Sequence, residues 1–256
     1  MERLVCSSHT TPPKNTNKMY ELKTLRSGSS GNGYIIEGEN EALVIELGCK
    51  FDDYVRALNY DTKKIVGCIV SHRHGDHIRQ DTLNEFLKYG IKVYANDDVR
   101  KLYDGISELQ PFIKLGGFGI QHFDLVHNVP NTAYVIDIVD GTRLLFATDT
   151  ERIPKIVKNV NVALVEANYS EEVLVDNAID GIINRSQYEN HQSIDKCIEY
   201  LHHLDPVCLC SIVLCHLSGQ NSNKTAFIAK TKEMVGNSNV FVAEPKMCLK
   251  LENSEF

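Results

Sequence analysis

Apolar positions along the chain switch between a period of two and a period near 3.6, and each switch marks the border between a strand and a helix. YELKTLR (20–26), GYIIEG (33–38) and ALVIELG (42–48) read as three short strands, separated by a Gly/Ser loop and a GEN turn. FDDYVRALN then places Phe51, Tyr54, Val55 and Leu58 on one face at helical spacing. IVGCIVS (65–71) is apolar without interruption, as a strand covered on both sides has to be, and it runs directly into SHRHGDH. A helix closing near Gly90 follows, with Leu83, Phe86 and Leu87 inward, then a strand, IKVYAN, and a helix, DDVRKLYDGI.

The second half has the same grammar. FGIQHFDLVH (118–127), AYVIDIV and RLLFATD predict strands, the last two joined at Asp140-Gly141. VNVALVEAN (160–168) predicts another, followed by a helix with Ile194, Cys197, Ile198 and Leu201 on one face, the strand SIVLCHLS, a helix ending near Gly236, and the strand NVFVAEP. Strands mixed with helices in two similar halves imply an α/β protein in which sheets pack face to face with helices outside. Residues 1–18 are polar, carry a Pro-Pro pair and show no period, so a flexible tail is expected there and one domain over 19–256.

Composition sets the class. With 256 residues, 43% hydrophobic and 24% charged, the chain can bury a sizeable core. No apolar run reaches the roughly 18 residues of a membrane helix, and MERLVCSSHTTPPKNTNK lacks the apolar stretch of a secretion signal. A cytoplasmic protein with no membrane partner is expected. The 8 cysteines form no C-x-x-C pair, and several lie in strand-like runs, which fits reduced core thiols. A net charge of -7, with no basic run longer than Lys63-Lys64, argues against gripping a long nucleic acid along its backbone. Any anionic substrate must be attracted locally.

Candidate chemistry concentrates in Ser71 to His77, where three of the 10 histidines and an aspartate share six consecutive positions. On a helix His72 and His74 would point to nearly opposite sides, because each residue turns by about 100°. An extended segment instead puts His72, His74 and Asp76 on one side, and a turn at Gly75 redirects His77. Two neighbouring centres are served in this way, one by His72 and His74, the other by Asp76 and His77. Crowded imidazoles repel one another on protonation and lose solvation, whereas a divalent cation turns all of them into donors. A solvated histidine-rich loop is the simpler alternative, and it fits poorly with a buried strand feeding straight into the cluster.

H-R-H-G-D-H matches the motif H-x-H-x-D-H, and from Met19 to about residue 250 the chain resembles the metallo-β-lactamase superfamily. GSSGNGYIIEGENEALVIELG is similar to that family's opening strands, while His127 in LVHNVPNTAYVI, Asp149 in LLFATDT and His216 in IVLCHLS resemble its outlying ligands. The resemblance implies a four-layer αββα sandwich of two mixed β-sheets. It implies His72, His74 and His127 on one metal, Asp76, His77 and His216 on another, and Asp149 shared. Each outlying residue ends a strand-like run, so distant segments can converge at one edge of the sheets. Two divalent ions are expected, zinc first by ligand type and manganese next. At roughly 3.5–4 Å apart such ions lower the pKa of a bridging water towards neutrality and supply a hydroxide nucleophile, with Asp76 in the catalytic set. Glu46 stands where the family has aspartate, in the place of a carboxylate that supports a ligating histidine, and its extra methylene is expected to shift that histidine.

Shorter motifs choose a branch. S-G-S-S-G-N (27–32), E-A-N (166–168), H-x-S (191–193) and H-L-S followed by Asn221 resemble the YycJ/WalJ-like exonucleases and the anti-Pycsar-type phage phosphodiesterases. They imply a phosphodiesterase acting on a linear nucleic acid or a cyclic nucleotide; Tyr169 stands where exonuclease-like members have histidine. Ser29, Ser30 and Asn32 offer amides and hydroxyls to a phosphate, although a tight strand connection accounts for this loop's glycines equally well. His191, at a helix start, protonates the leaving oxygen or holds a phosphate, or else is exposed and uninvolved, and Ser193 caps the helix. Two other classes share these residues. One is hydrolysis of a lactam, lactone or thioester at the same metals; the other is a non-catalytic, metal-stabilised binding module, whose closed sites are usually cysteine-rich. A second copy of the chain is a candidate partner.

Overall fold

The computed structural model describes residues 19–174, 189–236 and 239–252, so the expected tail (1–18) lies outside the described residues. One sheet is formed by β1 (Glu21–Arg26), β2 (Gly33–Glu37), β3 (Ala42–Ile45), β4 (Ile65–Ile69), β5 (Val93–Ala95), β6 (Ser107–Glu108) and β14 (Cys248–Lys250), in the order β14-β1-β2-β3-β4-β5-β6. The other contains β7 (Ile113–Leu115), β8 (Phe118–Leu125), β9 (Asn131–Ile138), β10 (Arg143–Ala147), β11 (Val162–Glu166), β12 (Ser211–Cys215) and β13 (Asn239–Val242), in the order β13-β12-β11-β10-β9-β8-β7.

Side chains alternate across both sheets, and that alternation builds the layers. Ile36, Leu43 and Ile45 face Tyr134, Phe146 and Leu164 between the sheets. Their neighbours Ile35 and Val44 turn outward onto Tyr54, Leu83 and Phe86 of α1 (Phe51–Ala57) and α2 (Gln80–Lys88). On the far side Leu145, Ala163, Val165 and Leu214 meet Ile194, Cys197, Ile198 and Leu201 of α4 (Ile194–Leu201) and Phe227 of α5 (Lys224–Val235). Both faces of each sheet are therefore apolar, which is why β3, β10 and β11 read as continuous runs. The four-layer αββα arrangement is the expected one. Each fully buried side chain of this kind contributes about 1.5–3 kcal/mol relative to exposure. Cys49, Cys68, Cys197 and Cys215 are buried thiols.

Some elements differ from expectation. DDVRKLYDGI makes only α3 (Asp97–Arg100), a single turn capped by Asn96, whose side chain accepts from the Asp98 and Val99 amides at 3.1 Å. Gly105, at φ 83°, then leads the chain into β6. The two- and three-residue strands β6, β7 and β14 are too short to carry a period, and the pattern does not announce them.

Both sheets are antiparallel on one side and parallel on the other: β3, β4, β5 and β6 run parallel, as do β10, β11, β12 and β13. The carboxyl ends of β4, β10, β11 and β12 line one rim, where ligand sites of parallel sheets form. The sheets are stitched together there. Tyr134 Oη donates to the Val70 carbonyl at 2.7 Å, and the His216 amide donates to Ser27 Oγ at 2.8 Å.

Candidate metal centre

Beyond β4 the chain does not stay extended. The His74 carbonyl accepts from the His77 amide at 2.9 Å and the Ile78 amide at 3.0 Å, so a helical turn begins at His74. This turn takes Asp76 away from His72 and His74 and sets it beside His77. Gly75, expected to permit the turn, has no left-handed φ, and a Cβ there would meet nothing within 4 Å. The indispensable glycine is Gly48, where a Cβ would lie 1.7 Å from the Asp76 carbonyl oxygen. That close approach lets the Asn32 amide donate to Asp76 O at 2.7 Å and the Gly48 amide to Asn32 O at 2.9 Å.

The remaining residues arrive from the second sheet. His127 follows β8, Asp149 follows β10, and His216 directly follows β12. Asp149 and His216, like Glu46 after β3, adopt left-handed backbone, with φ of 51°, 53° and 65°. Such conformations cost non-glycine residues on the order of 1–3 kcal/mol and need support from their surroundings. Buried side chains supply it at each position. Asn131 Nδ2 donates to Asp149 O at 2.7 Å, Asn168 Nδ2 to His216 O at 2.8 Å, and Tyr54 Oη to Glu46 O at 2.8 Å.

Two donor groups result. His72, His74, His127 and Asp149 each offer one atom within 4.8 Å of the others, and so do Asp76, His77, Asp149 and His216. His74 Nδ1 lies 3.0 Å from His72 Nε2 and 3.3 Å from His127 Nε2. His127 Nδ1 faces the Asn190 carbonyl at 2.9 Å, which can only accept, so the proton resides there and Nε2 presents a lone pair to the cluster. Asp149 faces both groups. Its Oδ2 is 3.9 Å from His72 Nε2, and its Oδ1 is 3.3 Å from His77 Nε2 and 3.5 Å from His216 Nε2.

The two groups differ in charge. Burial drives the imidazoles of His72, His74 and His127 below their ordinary value, so they stand as neutral nitrogen donors. On the other side burial opposes charging His216, yet Asp149, Asp76 and Glu166 raise it to about 10. His77 moves up for the same reason, with Asp149 and Glu46 beside it. Asp149 itself is desolvated, but His216 and His77 hold its carboxyl well below the usual range. Protons on these imidazoles occupy the place a cation takes when donors of this type load metal. Neutral imidazoles converging on one point in the first group, and carboxylates that draw protons onto the imidazoles in the second, fit a divalent ion in each.

Behind the donors stands Glu166, at the end of β11 and fully buried. It accepts from His191 Nδ1 at 2.6 Å and the Thr150 amide at 2.8 Å, and lies 3.3 Å from His216 Nδ1. Asp149, Glu166, His191 and His216 form a third group of converging donor atoms. The E-A-N motif contains Glu166, yet the motif does not announce its pairing with His191. The signal was present: a carboxylate closing an apolar run, the same mark that singles out Asp149.

Other expected site residues divide. Asn32 is fully buried, with Oδ1 accepting from the Gly28 amide at 2.8 Å and Nδ2 lying 3.0 Å from His77 Nε2, so it braces the cluster and has no face for a substrate. Ser29 and Ser30 are exposed in the same loop. Glu46 accepts from the Ser71 amide at 3.2 Å and lies 3.5 Å from His77 Nδ1, behind the histidine as expected. Ser193 caps α4 by accepting from the Lys196 amide at 3.3 Å. Tyr169 is buried and bridges to Ser193.

The family model described as "Beta-lactamase superfamily domain" matches residues 53–212. The chain belongs to the metallo-β-lactamase superfamily. Among curated superfamily proteins, it is 25% identical over 175 residues to the exodeoxyribonuclease WalJ of Streptococcus pneumoniae, a match spanning 60% of this chain and 65% of that protein. Among solved structures, YhfI of Bacillus subtilis, a metallo-β-lactamase fold protein, superposes with TM-score 0.71 at 15% identity, covering 91% of this chain and 99% of that one. The short form of human tRNase Z superposes with TM-score 0.61 at 12% identity over 91% and 99% of the two chains. At these identities the structural likenesses establish the fold.

Proposed function

We propose that the chain is a two-metal hydrolase of phosphodiester bonds in nucleotides or nucleic acids. The observation that carries this reading is the placement of Asp149, one oxygen towards the three neutral histidines and the other towards His77 and His216. His72, His74 and His127 would hold one divalent ion and Asp76, His77 and His216 the other, with Asp149 common to both. Such ions, when bound, polarise a phosphoryl oxygen and make water nucleophilic near neutral pH; the imidazole-rich donor set favours zinc.

The rest is done by the chain itself. Glu166 fixes His191 through Nδ1, which leaves Nε2 as the atom able to pass a proton to a departing oxygen. The exodeoxyribonuclease and tRNase Z likenesses support phosphorus over a carboxyl derivative as the attacked centre. Among the described residues no helix is long and apolar enough to cross a membrane. The test is turnover of bis(4-nitrophenyl) phosphate against a chromogenic lactam by zinc- and manganese-loaded protein. Faster turnover of the lactam would overturn the proposal.

A further inference from the structure

A cavity of about 930 Å³ opens beside the metal rim, between β1, α1 and the segment leading into β14. Ser27 and Ser30 belong to its lining, and Ser27 Oγ accepts from the His216 amide at 2.8 Å, so cavity and donor cluster share a wall. Lys23, Arg26, Arg56 and Lys246 line it against two carboxylates, Glu21 and Asp53, in a chain whose net charge is -7. Lys23 is paired with Glu37. Arg26, Arg56 and Lys246 are exposed, and among the described residues none of them has an ion-pair partner. Two polar atoms of the lining, Thr24 Oγ1 and Asp53 Oδ2, are buried without a hydrogen-bond partner among the described residues.

The ligand class follows from these groups. Unpaired cations gathered in a concavity, against the sign of the whole chain, focus a positive field on that spot. They sit on three separate elements, so they suit an anion with several charges spaced along it better than a lone phosphate. Guanidinium planes stack on nucleobases, and Leu25 and Met247 add apolar surface between the charges. A volume in the range of about 300–1,000 Å³ admits a small ligand or a short piece of flexible strand.

We propose that this cavity holds the strand flanking the scissile bond, so that the substrate is a single-stranded oligonucleotide, and a cyclic mononucleotide would leave it unused. This inference rests on the phosphodiesterase reading. It also shows how a chain of acidic balance can hold a nucleic acid, through a local field that the total conceals.

The first test needs no metal. Chelator-treated protein is titrated with a fluorescein-labelled ten-nucleotide single strand, and anisotropy is read at several salt concentrations. R26E/R56E/K246E should weaken binding at least tenfold and flatten the salt slope by about 2, at about 0.7 per lost phosphate contact. The milder R26Q/R56Q/K246Q should move the same way, which guards against misfolding of the first variant. The control K114E/K158E/K232E makes the same charge change at exposed lysines outside the cavity, and equal weakening there would overturn the inference. In zinc-loaded protein the cavity variant should raise KM for the oligonucleotide at least tenfold and leave bis(4-nitrophenyl) phosphate turnover within twofold. Equal loss on both substrates would also count against the cavity. If wild-type protein turns over neither, the phosphodiesterase reading fails, and the anisotropy alone decides the cavity.

Discussion

Glu166 Oε1 stands 2.6 Å from His191 Nδ1, a buried carboxylate fixing a half-buried imidazole at the rim of the donor cluster. The contact orients the ring and holds its proton, with burial opposing the charge and Glu166 raising it above its ordinary value. Glu166→Gln keeps the shape and removes the anion. It should lower kcat for bis(4-nitrophenyl) phosphate by roughly 10–100-fold, the usual cost of losing such a support. Elemental analysis accompanies the kinetics; a wild-type kcat at full metal content would show that the pair serves no catalytic purpose.

Asp149 and His74 should behave differently when truncated. Asp149 belongs to both donor groups and His74 to one. Asp149→Ala is therefore expected to deplete both ions, and His74→Ala chiefly the ion held with His72 and His127. Metal stoichiometry after gel filtration reads the difference, and both variants should lose at least 100-fold in turnover. Retention of two ions per chain by Asp149→Ala would refute the shared role.

The two glycines near the cluster make opposite predictions. Gly48→Ala places a methyl carbon 1.7 Å from Asp76 O, so soluble folded protein should be lost or its melting temperature should collapse. Gly75→Ala faces open space and should change stability by no more than about 0.5 kcal/mol. Thermal melts of the two purified variants decide the matter, and a Gly75→Ala protein as damaged as Gly48→Ala would contradict the local geometry.

Stability should fall in alkali. Burial pushes the Cys49 thiol from 9.0 up to about 11 and that of Cys197 up to about 12. Above the ordinary thiol range the unfolded chain releases these protons while the folded chain keeps them, so the free energy of unfolding falls as pH rises. The thiol contribution is intact below about pH 9 and is lost as pH climbs through about 11 to 12. Urea midpoints from pH 8 to 12 for wild type and Cys197→Ala give the measure: the variant's curve should fall less steeply. Parallel curves would remove the thiol from the account.

Much of this architecture is legible in the sequence because the chemistry sits where apolar runs stop. His127, Asp149 and His216 each end such a run, and the rim of the parallel strands brings those ends together. Glu166 carries the same signature, but its role is not legible there, since it depends on an imidazole twenty-five positions away that no local pattern connects to it. The turn at His74 was harder still. An extended segment and a helical turn both separate the donors into two sets, and the decision rests on contacts from Gly48 and Asn32, which lie outside the motif. Asn32 departs from expectation for a related reason: a polar side chain in a glycine-rich loop looks available until burial shows both ends of its amide engaged.

The donor atoms come from both sheets, Asp76 and His77 from the first, Asp149 and His216 from the second. Ions lodged at that seam would rivet together two slabs that, β14 apart, are built from successive stretches of the chain. Loading would then report correct docking of those slabs, and a stripped molecule should exchange its amide hydrogens fastest along the seam.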